Sequence, residues 1–335
     1  MIVIVSPGSE RWVKPMVTAA MELGPVHVIE PWKRLAWRAA NLPSRAWARG
    51  KADRLIRAQL ARRQVLDSIA AQLLPHGASV VVAPGMAARR TLAAARQRGA
   101  RTVLIQDLPA FRRLHADLDQ ALSAHPGCLF LRRYRASARA VARQETEWAM
   151  ADRILTRGAY AADALHAAGV PWSCLDALDE PAPAVTPPVR LATERPVLRI
   201  LLAGAATARN GTMEAAAAIA RIPGATLLVR PVPGMEPADL LQRSHIEAAS
   251  PSALQRLEGV DAVLAPAWCE TNPHAVRLAL AMGHPLVATR PALGFAMPAA
   301  GAKITCGDIS AMVHALHAAR PAQNRALPPL SCALA

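Results

Sequence analysis

Residues 260–289 read VDAVLAPAWCETNPHAVRLALAMGHPLVAT, and this stretch decides the fold class. Two short apolar runs, 262–265 and 286–289, flank a helical pattern over 273–282. Strand, helix and strand in that order make a βαβ unit, which requires a parallel strand pair. Working outward, the C-terminal half repeats the scheme, with strands expected at 198–203, 225–229 and 303–306. Its further helices are expected at 212–221, 251–257 and 309–319. The N-terminal half alternates in the same way, with strands expected at 2–6, 26–29, 79–83, 102–106 and 154–156. Its clearest helical patterns cover 86–97 and 136–150. The class is α/β throughout.

Between the halves, residues 179–196 carry prolines at 181, 183, 187, 188 and 196. Proline removes backbone donors and disfavours helix before it, so this stretch reads as a Pro-rich linker. The expected organisation is an N-terminal domain over 1–178, the linker, a C-terminal domain over 197–320 and an irregular tail over 321–335. Two Rossmann-like domains joined in this way are expected to face an interdomain cleft at the carboxyl ends of their strands.

The 335 residues are 53% hydrophobic and 19% charged, a composition that builds cores and excludes global disorder. The formal net charge is +15, carried by arginine with only four lysines, Lys14, Lys33, Lys51 and Lys303. Such a surplus suits a polyanionic partner: nucleic acid, an anionic membrane face or phosphorylated substrates. The five cysteines are scattered and never spaced as CxxC, which points to a reduced, cytoplasmic setting and away from structural zinc. The ten histidines show no metal-ligand spacing, so no metal is expected. No uninterrupted apolar run reaches the ~18 residues of a membrane span, and Met1 to Ser6 lacks the charged start of a signal peptide.

The charge is uneven, with net +11 over residues 1–185 and +4 over the rest. Residues 32–63 hold ten cations against one acid, Asp53, with Trp32, Trp37 and Trp47 interleaved. Arginine attracts phosphate headgroups and tryptophan prefers the headgroup boundary. Trp32, Lys33, Arg34, Trp37, Arg38 and Trp47 are therefore candidates for an anionic membrane surface, with peripheral attachment to the inner membrane. The alternative is a solvated helix face whose tryptophans pack on the domain. A single-stranded nucleic acid would use the same residue types, but no nucleic-acid module is recognisable and no nucleic-acid partner is expected. Arg135, Arg139 and Arg143, spaced i, i+4, i+8, read as one solvated helix stripe, and Glu145 and Glu147 as helix-surface charges.

Three stretches together resemble the GT-B glycosyltransferases of the large retaining group called family 4. Ala151-Asp152-Arg153-Ile154-Leu155-Thr156, with Tyr160 and the later Gly169-Val170-Pro171, is similar to the family's ADRVIxxSxY…GVP stretch. Arg199 to Gly204, continuing to Arg209-Asn210-Gly211, is similar to ILFVGRLxxxKG, which opens the donor domain. The opening stretch 260–289 itself resembles ADVFVLPSxxEGFPxxxxEAMAxGxPVVAT.

The resemblance implies a fold of two Rossmann-like domains and transfer of a sugar from a nucleotide-sugar donor, with no other cofactor. A diphosphate leaves, and helix N-termini and cations meet its growing charge without requiring a metal. The family's pattern places the donor diphosphate at the loop bounded by Gly204 and Gly211, with Arg209 and Asn210 inside it. Glu270 falls on the glutamate that contacts the donor sugar, followed by Thr271 and Asn272. Gln106 and Asp107, ending the strand 102–106, fall on the acceptor side. Several family residues are replaced. Ala205 stands for the loop arginine, Asn210 for the lysine, Leu278 for the second glutamate, Thr271 and Asn272 for a glycine and an aromatic, and Gln106 for a histidine. Arg209, Arg230 and Arg290 are placed to compensate at strand ends. The resulting expectation is a glycosyltransferase acting on a lipid-linked or polysaccharide acceptor at the cytoplasmic membrane face. The rival is a non-catalytic GT-B-like protein that binds a partner glycosyltransferase, a glycan or a membrane.

Overall fold

The computed structural model describes residues 1–6, 13–30, 52–178, 197–232, 240–269, 274–294 and 301–318. The chain divides into two units, Met1–Pro181 and Ala182–Ala335. The expected linker, the tail from 321 and the tryptophan-bearing residues 32–47 lie outside the described residues.

In the first unit the strands are β1 (Ile2–Val5), β2 (Val26–Ile29), β3 (Val80–Pro84), β4 (Arg101–Gln106), β5 (Arg153–Thr156) and β6 (Leu175–Ala177). All pair in parallel, in the order β2-β1-β3-β4-β5-β6. The helices are α1 (Val13–Leu23), α2 (Ala52–Leu73), α3 (Arg89–Gln97), α4 (Phe111–Ala124), α5 (Ala138–Met150) and α6 (Ala159–Ala167). Alternate residues of β1 serve opposite cores. Val3 and Val5 pack with Leu92, Leu104 and Trp148, whereas Ile4 packs with Val82 and Ile105. A sheet buried on both faces explains why its strands read as continuous apolar runs.

The second unit holds β7 (Leu198–Ala205), β8 (Ala225–Arg230), β9 (Ile246–Ala248), β10 (Ala262–Ala265), β11 (Leu286–Thr289) and β12 (Gly301–Ile304). Its helices are α7 (Thr212–Ile219), α8 (Pro251–Arg256), α9 (His274–Ala281), α10 (Arg290–Leu293) and α11 (Ile309–Ala318). The parallel order β12-β11-β10-β7-β8-β9 is the doubly wound Rossmann arrangement. Ile200 and Leu202 face one core, Leu201 and Ala203 the other. In such a sheet the connections leave in opposite directions from β7 and β10. Their carboxyl ends therefore open a crevice, the switch point where ligands bind in this architecture.

Several details differ from the sequence expectations. Strands β6 and β9 are three-residue edge strands, too short for an alternation signal. The helix expected from residue 86 starts at Arg89, because Met86 takes a left-handed φ of 65° and holds residues 85–88 in a turn. The helix expected from 136 starts at Ala138, since the Ser137 hydroxyl accepts the Ala140 N–H as an N-cap. Arg135 therefore sits before the helix and pairs with Asp119, off the supposed stripe. Arg143 is no solvated residue either: its side chain is 12% exposed and lies between Asp67 and Glu147, each 1% exposed.

Candidate functional site

In the second unit two loops meet at the switch point of β7 and β10. Strand β7 runs into Gly204, where a Cβ would come within 2.9 Å of Asn210 Nδ2. The loop closes through a short 3₁₀ turn, Ala208–Asn210, onto Gly211 in the left-handed region at φ 74°. A Cβ on Gly211 would lie 2.3 Å from the carbonyl oxygen of Pro266, just beyond β10. Only glycine lets the two backbones approach this closely. Gly211→Ala is accordingly expected to lower the unfolding free energy by about 2 kcal/mol or more, read as a shift in the urea midpoint.

The residues expected at the donor lie as follows. Asn210 is 2% exposed, and its amide donates to Ala205 O at 2.9 Å, inside its own loop. Its Oδ1 and the hydroxyl of Thr207 are buried with no hydrogen-bond partner. Arg209 is half-buried, and its carbonyl accepts the Trp268 N–H at 3.0 Å. Arg230 is exposed at the end of β8, in register with Ala205, and its carbonyl accepts the Ala206 N–H. Arg290 is exposed at the first turn of α10. Leu278, standing where the second glutamate is expected, is 2% exposed and packs in the core with Leu201 and Val276. Glu270, Thr271 and Asn272 lie outside the described residues.

In the first unit the expected acceptor-side pair ends β4. Gln106 is buried: its Oε1 accepts the Trp148 indole N–H at 3.1 Å, and its amide donates to Leu108 O. Asp107 is different. Its Oδ2 accepts from Arg63 at 3.2 Å, while its Oδ1 is buried with no hydrogen-bond partner. Arg63 also donates to Gly85 O at 2.9 Å, tying α2 to the turn after β3 and to the end of β4. The sequence places this residue at the end of the basic run 32–63; its guanidinium points to the strand ends.

A charged network unforeseen in the sequence holds the same turn. Helix α3 has no side-chain cap of its own, since its N-cap position is Ala88. Two distant carboxylates take that part. Glu147 Oε1 accepts the N–H groups of Ala88 and Arg89, both at 3.1 Å, and Oε2 accepts that of Met86. Asp67 accepts the N–H groups of Arg90 and Thr91 and the Thr91 hydroxyl. Arg143 bridges the two, 3.1 Å from Glu147 and 2.7 Å from Asp67. Burial pushes the Glu147 carboxyl above its ordinary range, against the pull of the backbone donors and Arg143. The i, i+4 spacing of Arg143 and Glu147 was the available sequence signal, but nothing local marks that helix face as the inner one. Nearby, Asp117 accepts from both Arg113 and Tyr160, and burial raises its carboxyl as well.

Among the described residues no group of three or more His, Cys, Asp or Glu side chains is placed to hold a metal ion. No described helix is long and apolar enough to cross a membrane.

Two parallel six-stranded sheets, each flanked by helices, define the GT-B fold of two Rossmann-like domains. The chain is similar to the apo form of the lipopolysaccharide outer core galactosyltransferase WaaB, at 14% identity and a TM-score of 0.58, covering 94% of this chain and 88% of that one. It is similar also to Anabaena Alr3699/HepE in complex with UDP, at 13% identity and a TM-score of 0.58, covering 93% and 88%. The complex of the same Anabaena protein with UDP-glucose aligns at 11% identity and a TM-score of 0.55, covering 93% and 87%. No protein-family model matches the chain, and no curated protein matches its sequence.

Proposed function

We propose that this protein transfers a sugar from a nucleotide sugar to a hydroxyl of a lipid-linked or polysaccharide acceptor, as a member of the retaining group its sequence resembles. The observation that carries the reading is the junction at the β7–β10 switch point, where Gly211 and Pro266 bring two loops into backbone contact. The GT-B neighbours whose names include UDP and UDP-glucose make UDP-hexoses the first donors to test.

In this reading the diphosphate lies by the Gly204–Gly211 loop, with Arg209 and Arg230 as its cations. Glu270 contacts the donor sugar, and Thr271 and Asn272 follow it along the donor. Asn210 shapes the loop, because its amide is already engaged by Ala205. Asp107 offers Oδ1 to the acceptor hydroxyl while Arg63 holds Oδ2, and Gln106 fixes the strand end through Trp148. In the reaction the bond from the anomeric carbon to the diphosphate breaks and its electron pair leaves with the nucleoside diphosphate. The acceptor oxygen bonds to that carbon and gives up its proton to the departing diphosphate. Trp32, Lys33, Arg34, Trp37, Arg38 and Trp47 support an acceptor presented at an anionic membrane surface.

A second reading, a non-catalytic GT-B protein that binds a partner glycosyltransferase, a glycan or a membrane, is favoured by Asn210 and Leu278, which stand where charged donor contacts are expected. Calorimetry against a panel of UDP-, GDP- and ADP-sugars separates the two. Binding of at least one donor, with nucleoside diphosphate released when acceptor is added, supports the enzyme. Absence of binding across the panel overturns it.

A further inference from the structure

The loop after β10 is held from four sides, and one of its anchors is a buried carboxylate that the transfer chemistry does not use. Glu214, on the first turn of α7, is 1% exposed. Its Oε1 accepts the indole N–H of Trp268 at 2.8 Å. Trp268 is itself 7% exposed, and its backbone N–H donates to Arg209 O across the junction at 3.0 Å. Its ring packs on Gly307, where a Cβ would come within 3.2 Å of the indole edge. One residue earlier, Ala267 O accepts from the Thr289 hydroxyl at 2.6 Å and from Cys306 Sγ at 3.3 Å.

A carboxylate is costly to bury and a salt bridge would be the ordinary remedy, yet here the indole N–H is one of its partners. The ring has a second function in this geometry. Trp268 ties the β10 loop to α7 by its indole N–H, to the β7–α7 loop by its backbone, and to the β12–α11 turn by its ring edge. Only two peptide units separate it from Glu270.

We propose that Glu214 is a positioning residue, which acts through Trp268 to lock the β10 loop against the β7–α7 loop in the geometry that receives the donor. The inference rests on the proposed function for the identity of the ligand, but not for the lock itself. Glu214 touches no donor atom; it sets where the loop stands. Glutamine at 214 keeps an oxygen acceptor for the indole, whereas alanine does not, and phenylalanine at 268 keeps the ring but loses the N–H.

The test combines amide hydrogen exchange of the full-length protein with calorimetric titration of UDP and UDP-glucose. In Glu214→Ala and Trp268→Phe the amides of residues 267–269 should exchange about tenfold faster, the factor that loss of one such hydrogen bond implies. Donor affinity should fall by about the same factor, while Glu214→Gln stays within about threefold of the wild type on both readouts. Unchanged exchange in Trp268→Phe, or equal damage from glutamine and alanine, overturns the lock. Faster exchange with unchanged donor affinity overturns its role in donor binding. Failure of the wild-type protein to bind any donor of the UDP-, GDP- and ADP-sugar panel overturns the proposed function instead, with the exchange data still deciding the lock. Should Trp268→Phe fail to fold, the Glu214→Ala and Glu214→Gln pair decides the same question.

Discussion

Replacing Glu147 with alanine is expected to destabilise the first unit by about 3–5 kcal/mol, the range for stripping one partner from a buried ionic network. For a unit of this size that corresponds to a fall in melting temperature on the order of 10 °C, measured by calorimetry. The loss has two parts. Arg143 would be left facing Asp67 alone in a site that is 12% exposed. The N–H groups of Met86, Ala88 and Arg89 would lose their acceptor at a helix start that has no cap of its own. The second part sets this network apart from an ordinary buried ion triad, which apolar residues of equal volume can often replace without loss. Here an apolar replacement strands backbone donors that no side chain of α3 can satisfy. Asp67→Ala should cost a similar amount, because it abandons Arg90 and Thr91. The double variant should cost less than the sum of the two, since both remove the same helix start. Strict additivity would show that the two carboxylates act separately.

Substituting Asp107 with asparagine is expected to reduce kcat/KM for sugar transfer roughly tenfold to hundredfold, the effect of losing one charge-assisted hydrogen bond. The geometry supports this size. One oxygen is anchored by Arg63, and the other is buried with no hydrogen-bond partner, an arrangement that costs free energy unless a ligand donor completes it. The melting temperature should move little, because asparagine keeps the oxygen that faces Arg63. Initial rates of UDP release with and without acceptor provide the measurement. If transfer is unchanged while Arg63→Ala destabilises the protein, Asp107 serves the fold and not the acceptor.

Much of the architecture was legible because the signals are local and periodic. Residues 262–265 and 286–289 form strands at the expected positions, since continuous apolar runs bounded by proline and glycine have few other solutions. Met86, Arg135 and Arg143 show the limit. A left-handed residue delays one helix, Ser137 delays another, and Arg143 turns inward because helix α3 lies there to be capped. The candidate site divides in the same way. Gly204, Gly211, Gln106 and Asp107 were named from the family resemblance, whereas Arg63, Glu147, Glu214 and Trp268 carry no such signal. Gly85 lies 22 residues from Arg63, Met86 lies 61 from Glu147, and Trp268 lies 54 from Glu214.

What the sequence determined by itself is the α/β alternation with ten of the twelve described strands, two α/β halves, and a positive charge concentrated in the first. Hydrophobic periodicity and composition are properties of neighbouring residues, and a parallel sheet buried on both faces follows from them. Which charges face solvent was decided only by tertiary structure. A helix start lacking its own cap draws in Glu147 and Asp67, and a loop pressed against Gly211 draws Trp268 onto Glu214. Buried polar groups must find partners, and the fold, not the local sequence, determines which ones are within reach.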